Sequence, residues 1–111
     1  MISLKDSEGS PLWVNVSKIF IKSFDPAQIK IELDKKNLLN VASFCHKYKS
    51  GCFNVGLVEF YNSLNRVEEL IVLEKSSNFE EIEKILNPVF FNYQEAISEI
   101  ESKIKDLESK F

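Results

Sequence analysis

Glycine and proline are scarce in this chain, with three of each among 111 residues. That excludes collagen-like and loop-dominated architectures and argues against disorder. Gly9, Gly51 and Gly56 are too scattered for the backbone to wrap a phosphate, so a nucleotide-cradling loop is excluded as well. Soft metal ligands are equally few: Cys45, Cys52 and a single histidine, His46. Zinc takes four ligands, usually with cysteines two to four residues apart. Here the two cysteines are seven apart and no second Cys/His pair exists. Two buried thiols in a reducing compartment are the plainer expectation.

Long apolar runs are missing too. The longest is Leu70-Ile71-Val72-Leu73, far short of the ~20 residues a membrane span needs. Residues 1–20 contain Asp6, Glu8 and Lys18 but no uninterrupted apolar core of a secretory signal. A cytoplasmic protein that does not enter the membrane is expected. An excess of positive charge is also absent. The net charge is −3, which makes nucleic-acid binding an unfavoured reading. The charge is unevenly placed. Residues 1–58 carry eight Lys against five Asp/Glu, whereas residues 59–111 carry six basic and twelve acidic residues. Such polarity helps two copies, or a partner, to orient.

What the chain does have is apolar material, 44% of its residues including nine Phe, enough for one domain with a sizeable core. Its clearest pattern lies in the C-terminal third. Tyr93, Ile97, Ile100, Ile104, Leu107 and Phe111 follow at steps of four, three, four, three and four. They form the a/d seam of a helix whose other positions are polar. Asn78 followed by Glu81 reads as a capping box, and Phe79, Ile82, Ile85 and Leu86 make an apolar face behind it. Pro88 removes a backbone donor and clashes with the preceding turn, so a break or kink is expected there. From Val89 to Lys110 the second helical piece would be ~33 Å long, enough to outrun a small domain.

Before residue 75 the pattern reads as strands. Leu12, Val14 and Val16 alternate with polar neighbours, as do Ile29, Ile31 and Leu33. Asp25-Pro26-Ala27-Gln28 fits a type I turn between them, although Asp25 as a helix cap with Pro26 behind it is the rival reading. Lys35-Lys36-Asn37 suits a hairpin loop, with residues 38–44 as the returning strand. Residues 45–51 would be a polar, basic connection. Residues 53–75 are ambiguous. Phe53, Leu57, Phe60, Leu64, Val67 and Ile71 fit heptad spacing, while Gly56, Asn62, Ser63 and Asn65 are poor in a helix. A hairpin of residues 53–61 with 69–75 is the reading taken.

The expected fold is therefore α+β: one domain over residues 1–111, with an antiparallel β-meander of five or six strands. A C-terminal helix, or a pair kinked at Pro88, covers the sheet. The expected core is Trp13, Phe20, Ile29, Ile31, Leu33, Phe60, Ile71, Leu73, Ile82 and Leu86. Two functions compete. The first is a non-enzymatic interaction module, an adaptor, chaperone or inhibitor without a cofactor. It would bind a protein partner or a second copy through Ile97, Ile100, Ile104, Leu107 and Phe111. The second is a small metal- or thiol-dependent protein built on Cys45, His46 and Cys52, for which no orienting third group is visible.

Overall fold

The computed structural model describes residues 11–110. They form five helices: α1 (Pro11–Ser23), α2 (Pro26–Asp34), α3 (Leu38–Val55), α4 (Val58–Val72) and α5 (Phe79–Glu108). No strand occurs among the described residues, so the α+β meander is replaced by an all-helical fold. Residues 2–5, which the sequence also allows as a short first strand, lie outside the described residues.

Local chemistry explains where the helices begin and end. The Asp25 carboxylate accepts the Ala27 amide at 3.1 Å and Pro26 fills the first helical position, so the 25–28 segment is the cap of α2 rather than a turn between strands. Asn37 caps α3 by accepting the Asn40 amide at 3.1 Å, and Asn78 caps α5 by accepting the Glu81 amide at 3.1 Å. Glu80 and Glu81 then sit in the first turn of α5, where the helix dipole favours negative charge. Gly56, at φ 95°, ends α3. Its amide donates to the Phe53 carbonyl and the Leu57 amide to the Cys52 carbonyl, the paired bonds of a Schellman motif. Gly56 thus divides two helices instead of weakening one. The 35–37 connection repeats this geometry. Lys36 takes the left-handed position at φ 60°, while Asn37 serves as the next cap.

The expected hairpins fail for a common reason. Ile29 and Leu33 are four residues apart, so α2 buries both and turns Ile31 half out to solvent. Residues 38–55, read as a strand, a connection and part of a hairpin, are one helix. Its buried positions Val41, Cys45, Tyr48, Cys52 and Val55 recur every three or four residues. In α4 the heptad-spaced Phe60, Leu64, Val67 and Ile71 are buried, while Asn62 and Asn65 lie outside the core. Burial of that stripe outweighs their poor propensity. Of the expected core, Ile31 and Leu73 are exposed and the other eight are buried.

The helices assemble as four antiparallel rods. α1 and α2 lie end to end as one interrupted rod beside α5. Lys18 pairs with Glu108, the Tyr93 hydroxyl donates to the Phe24 carbonyl at 3.3 Å, and the Lys36 ammonium lies 4.4 Å from the centre of the Phe79 ring. α3 returns alongside that rod, with the Tyr48 hydroxyl donating to Gln28 and the Trp13 indole donating to the Val55 carbonyl. α4 then packs against α3 and α5, closing a square. The whole measures 48 × 22 × 22 Å. Short connections between sequential neighbours give the up-down bundle topology.

Phe24, in the gap between α1 and α2, sits at the bundle's centre. Its ring meets Phe20 at 4.9 Å, Tyr48 at 5.2 Å, Tyr93 at 5.6 Å and Phe60 at 6.3 Å, one ring from each of the four rods. At Gly51 an added Cβ would come 3.1 Å from the Phe20 ring, so the small residue lets α3 approach α1 closely. α5 is one unbroken helix through Pro88, not two pieces. Pro88 faces solvent, whereas Leu86 and Val89 on either side are fully buried. Those anchors hold the helix across the lost hydrogen bond.

Candidate interaction surface

The seam expected to bind a partner faces inward. Ile100, Ile104 and Leu107 are 0%, 6% and 7% exposed within the single chain, and Ile97 packs against the same core. Phe111 lies outside the described residues. Ile104 meets α1 near Ile21, in a shallow groove edged by Lys18, Lys22 and Lys105. The stripe itself was legible; what the sequence did not show was that a neighbouring rod covers it.

The Cys45, His46 and Cys52 group is likewise separated by the fold. Cys45 and Cys52 are two helical turns apart on the inner face of α3 and fully buried. Burial pushes both thiols up to about 12, so they stay neutral near pH 7. His46, next in sequence to Cys45, points outward. Among the described residues no group of three or more His, Cys, Asp and Glu side chains is placed to hold a metal ion. Nor is any described helix long and apolar enough to cross a membrane.

His46 belongs instead to a polar cluster on the outer wall formed by α3 and α4. The His46 Nδ1 lies 2.8 Å from Glu68 Oε2. The Lys49 ammonium lies 2.8 Å from the other Glu68 oxygen and donates to Asn65 Oδ1 at 2.9 Å. Partial burial pulls the Glu68 carboxyl upward, but the bonds and charges of Lys49 and His46 outweigh it and hold the group below its usual value. The bond to Glu68 raises Lys49 in turn. Chemically the cluster is an ionic clamp between two helices.

Apolar groups flank the clamp at both ends. At one end Phe53 of α3 meets Tyr61 of α4 edge-on, with ring centres 5.2 Å apart. At the other, Leu39 at the start of α3 and Val72 at the end of α4 are both exposed. Helical spacing puts Leu39, His46 and Phe53 on one stripe of α3, and Tyr61, Glu68 and Val72 on the facing stripe of α4. Leu39 is 76% exposed and Phe53 53%. Their grouping escaped the sequence reading because their adjacency requires knowing that residues 38–55 and 58–72 are antiparallel helices.

The charge polarity seen in the sequence becomes spatial. Residues 11–57, comprising α1 to α3, carry seven Lys and three acidic residues, and residues 58–110, comprising α4 and α5, carry six basic and twelve acidic residues. Because α3 and α4 are neighbours, their shared wall straddles the boundary between the basic and acidic halves. No protein-family model, curated protein or solved structure is significantly similar to this chain.

Proposed function

We propose that this chain is a non-enzymatic protein-binding module whose contact surface is the outer wall of α3 and α4. The observation that carries the reading is the exposed apolar side chains at both ends of the wall, Leu39 and Val72 at one and Phe53 against the half-buried Tyr61 at the other, around the Lys49–Glu68–His46 clamp. Apolar groups at the ends of a wall with a charged centre combine desolvation energy with a polar key for orientation. The expected seam of α5 holds the bundle together, so α3 and α4 take over the role assigned to it.

The test is affinity capture from the native cell with tagged wild-type protein and with the Leu39→Glu/Phe53→Glu variant. Both sites are exposed, so the variant should retain its helical circular dichroism. The reading expects captured protein to fall with the variant and to persist with Ile31→Glu, an exposed position on α2 away from this wall. Equal capture by all three would overturn it.

A further inference from the structure

We infer that the furrow between the α1–α2 rod and α5 seats an amphipathic helix of a partner protein, apolar in its middle, basic at one end and acidic at the other. This furrow lies on the side of the bundle opposite the α3–α4 wall, and the inference stands apart from that reading. Ile31 stands at the furrow's edge. Ile31→Glu therefore leaves the α3–α4 wall and its capture test untouched, and the two readings fail separately.

Three grooves lie in line along this seam, of about 310, 440 and 330 Å³. They follow α5 from Phe79 to Glu108, 30 residues or about 45 Å of helix. That is nearly the whole 48 Å length of the bundle. The middle groove is the largest and falls where the rod is interrupted after Phe24. There α2 opens with Pro26 and Ala27, side chains too short to fill the space against Phe90 and Tyr93. Phe91, beside them on α5, is 80% exposed. Apolar side chains on one face of a docked helix would fill this middle section. A helix suits the furrow and an extended peptide does not. Both walls are helices whose backbone groups are already paired, so an extended chain would find no ladder to join. A helix brings its own hydrogen bonds and packs as a further rod.

Charge sets the chemistry of the two ends. At the Phe79 end Asp34, Glu80 and Glu83 outnumber Lys36, which is drawn over the Phe79 ring. At the Glu108 end Lys18, Lys22 and Lys105 outnumber Glu101 and Glu108, and Lys18 already pairs with Glu108. Glu80, Glu83, Lys22 and Lys105 make no ion pair among the described residues. The complementary helix carries Lys or Arg over the first end and Asp or Glu over the second. Acid at the N-terminus and base at the C-terminus is also the order the helix dipole favours. Such a helix runs parallel to the α1–α2 rod and antiparallel to α5.

The experiment is fluorescence anisotropy with a dye-labelled probe peptide of about 28 residues, long enough for the furrow. It carries Leu at heptad a and d positions through its middle, Glu in its first turns and Lys in its last. A comparison peptide has the same composition with Glu and Lys alternating along its length. The probe should bind wild type at tens of micromolar, and the comparison peptide about fivefold more weakly. Ala27→Trp places an indole in the middle groove from an exposed position and should weaken the probe about tenfold. Lys22→Glu/Lys105→Glu should weaken the probe about fivefold by setting acid against acid. Circular dichroism checks that each variant is folded. A probe that does not bind wild type, or that binds Ala27→Trp equally well, overturns the furrow as a docking site. Equal affinity for the two peptides, or no effect of the charge variant, overturns the bipolar chemistry. Sedimentation without peptide covers the other occupant: a wild-type dimer that Ala27→Trp dissolves would put a second copy in the furrow and overturn the partner helix.

Discussion

Truncating Ile100 to alanine tests whether the α5 stripe is core. The side chain is fully buried. Removing three carbons forfeits about 2.4 kcal/mol at ~0.8 kcal/mol per buried methylene. The cavity left behind brings the total to about 3–4 kcal/mol, within the range for such truncations. A domain of this size is stable by ~5–15 kcal/mol, so the variant should still fold. With a urea dependence of ~1.5 kcal/mol per molar, its midpoint should drop by about 2 M. Circular dichroism and fluorescence of the single, buried Trp13 should report the same transition. Gln94→Ala, exposed on the same helix, should change stability by less than ~0.5 kcal/mol. The reasoning fails if Ile100→Ala shifts stability by under ~1 kcal/mol while lowering the molecular mass, because that is what an intermolecular seam would do.

Other consequences are equally direct. Lys75 holds φ 56° in the α4–α5 connection, so Lys75→Gly should stabilise by up to about 1 kcal/mol, seen as a higher melting temperature. Pro88→Ala restores a backbone N–H that donates a hydrogen bond to the Lys84 carbonyl and should add about 1–3 kcal/mol by urea denaturation; a loss would mean that the proline shapes the helix usefully. Cys45 and Cys52, with thiols pushed up to about 12, should resist iodoacetamide at pH 8 and react once urea unfolds the chain. Because folding depresses the Glu68 carboxyl from its ordinary 4.5, its contribution is present above that pH and is lost as pH falls through the folded value. Urea midpoints at pH 7, 5 and 3 should therefore fall more steeply for wild type than for Glu68→Gln.

The α5 helix was legible because its signals agree: a capping pair at Asn78 and Glu81, then heptad-spaced apolar groups. The first three helices were not. In α2 only Pro26, Ile29 and Leu33 are buried, and nine residues are too few for periodicity to separate a helix from a strand when Ile31 happens to be apolar and exposed. In α1 the exposed Leu12 and Ile19 blurred the inner stripe of Trp13, Val14, Ser17 and Phe20 in the same way. Gly56 misled because a glycine that ends a helix and one that weakens it look alike until the flanking amides are seen. The contact wall was the least legible part, since Leu39 and Val72 are 33 positions apart in the chain.

The interruption at Phe24 and Asp25 also settles a problem of angular phase. A straight α-helix drifts by ~20° per heptad against a seven-residue contact pattern. Residues 11–34 span between three and four heptads, so an unbroken rod would have rotated its apolar face by roughly 70° relative to α5. Supercoiling is the usual remedy. Here the extended backbone at Asp25 lets α2 restart with its own angular origin, so each half-rod aims its buried face independently. α5, which has no such restart, handles the same drift in its side chains. Its buried series runs Ile82, Val89, Ala96 at sevens and then steps eight to Ile104, skipping Lys103. Inserting one residue beside Phe24 should therefore disturb α1 and α2 far less than one inserted into α5 between Ala96 and Ile104, where every later position would fall out of phase.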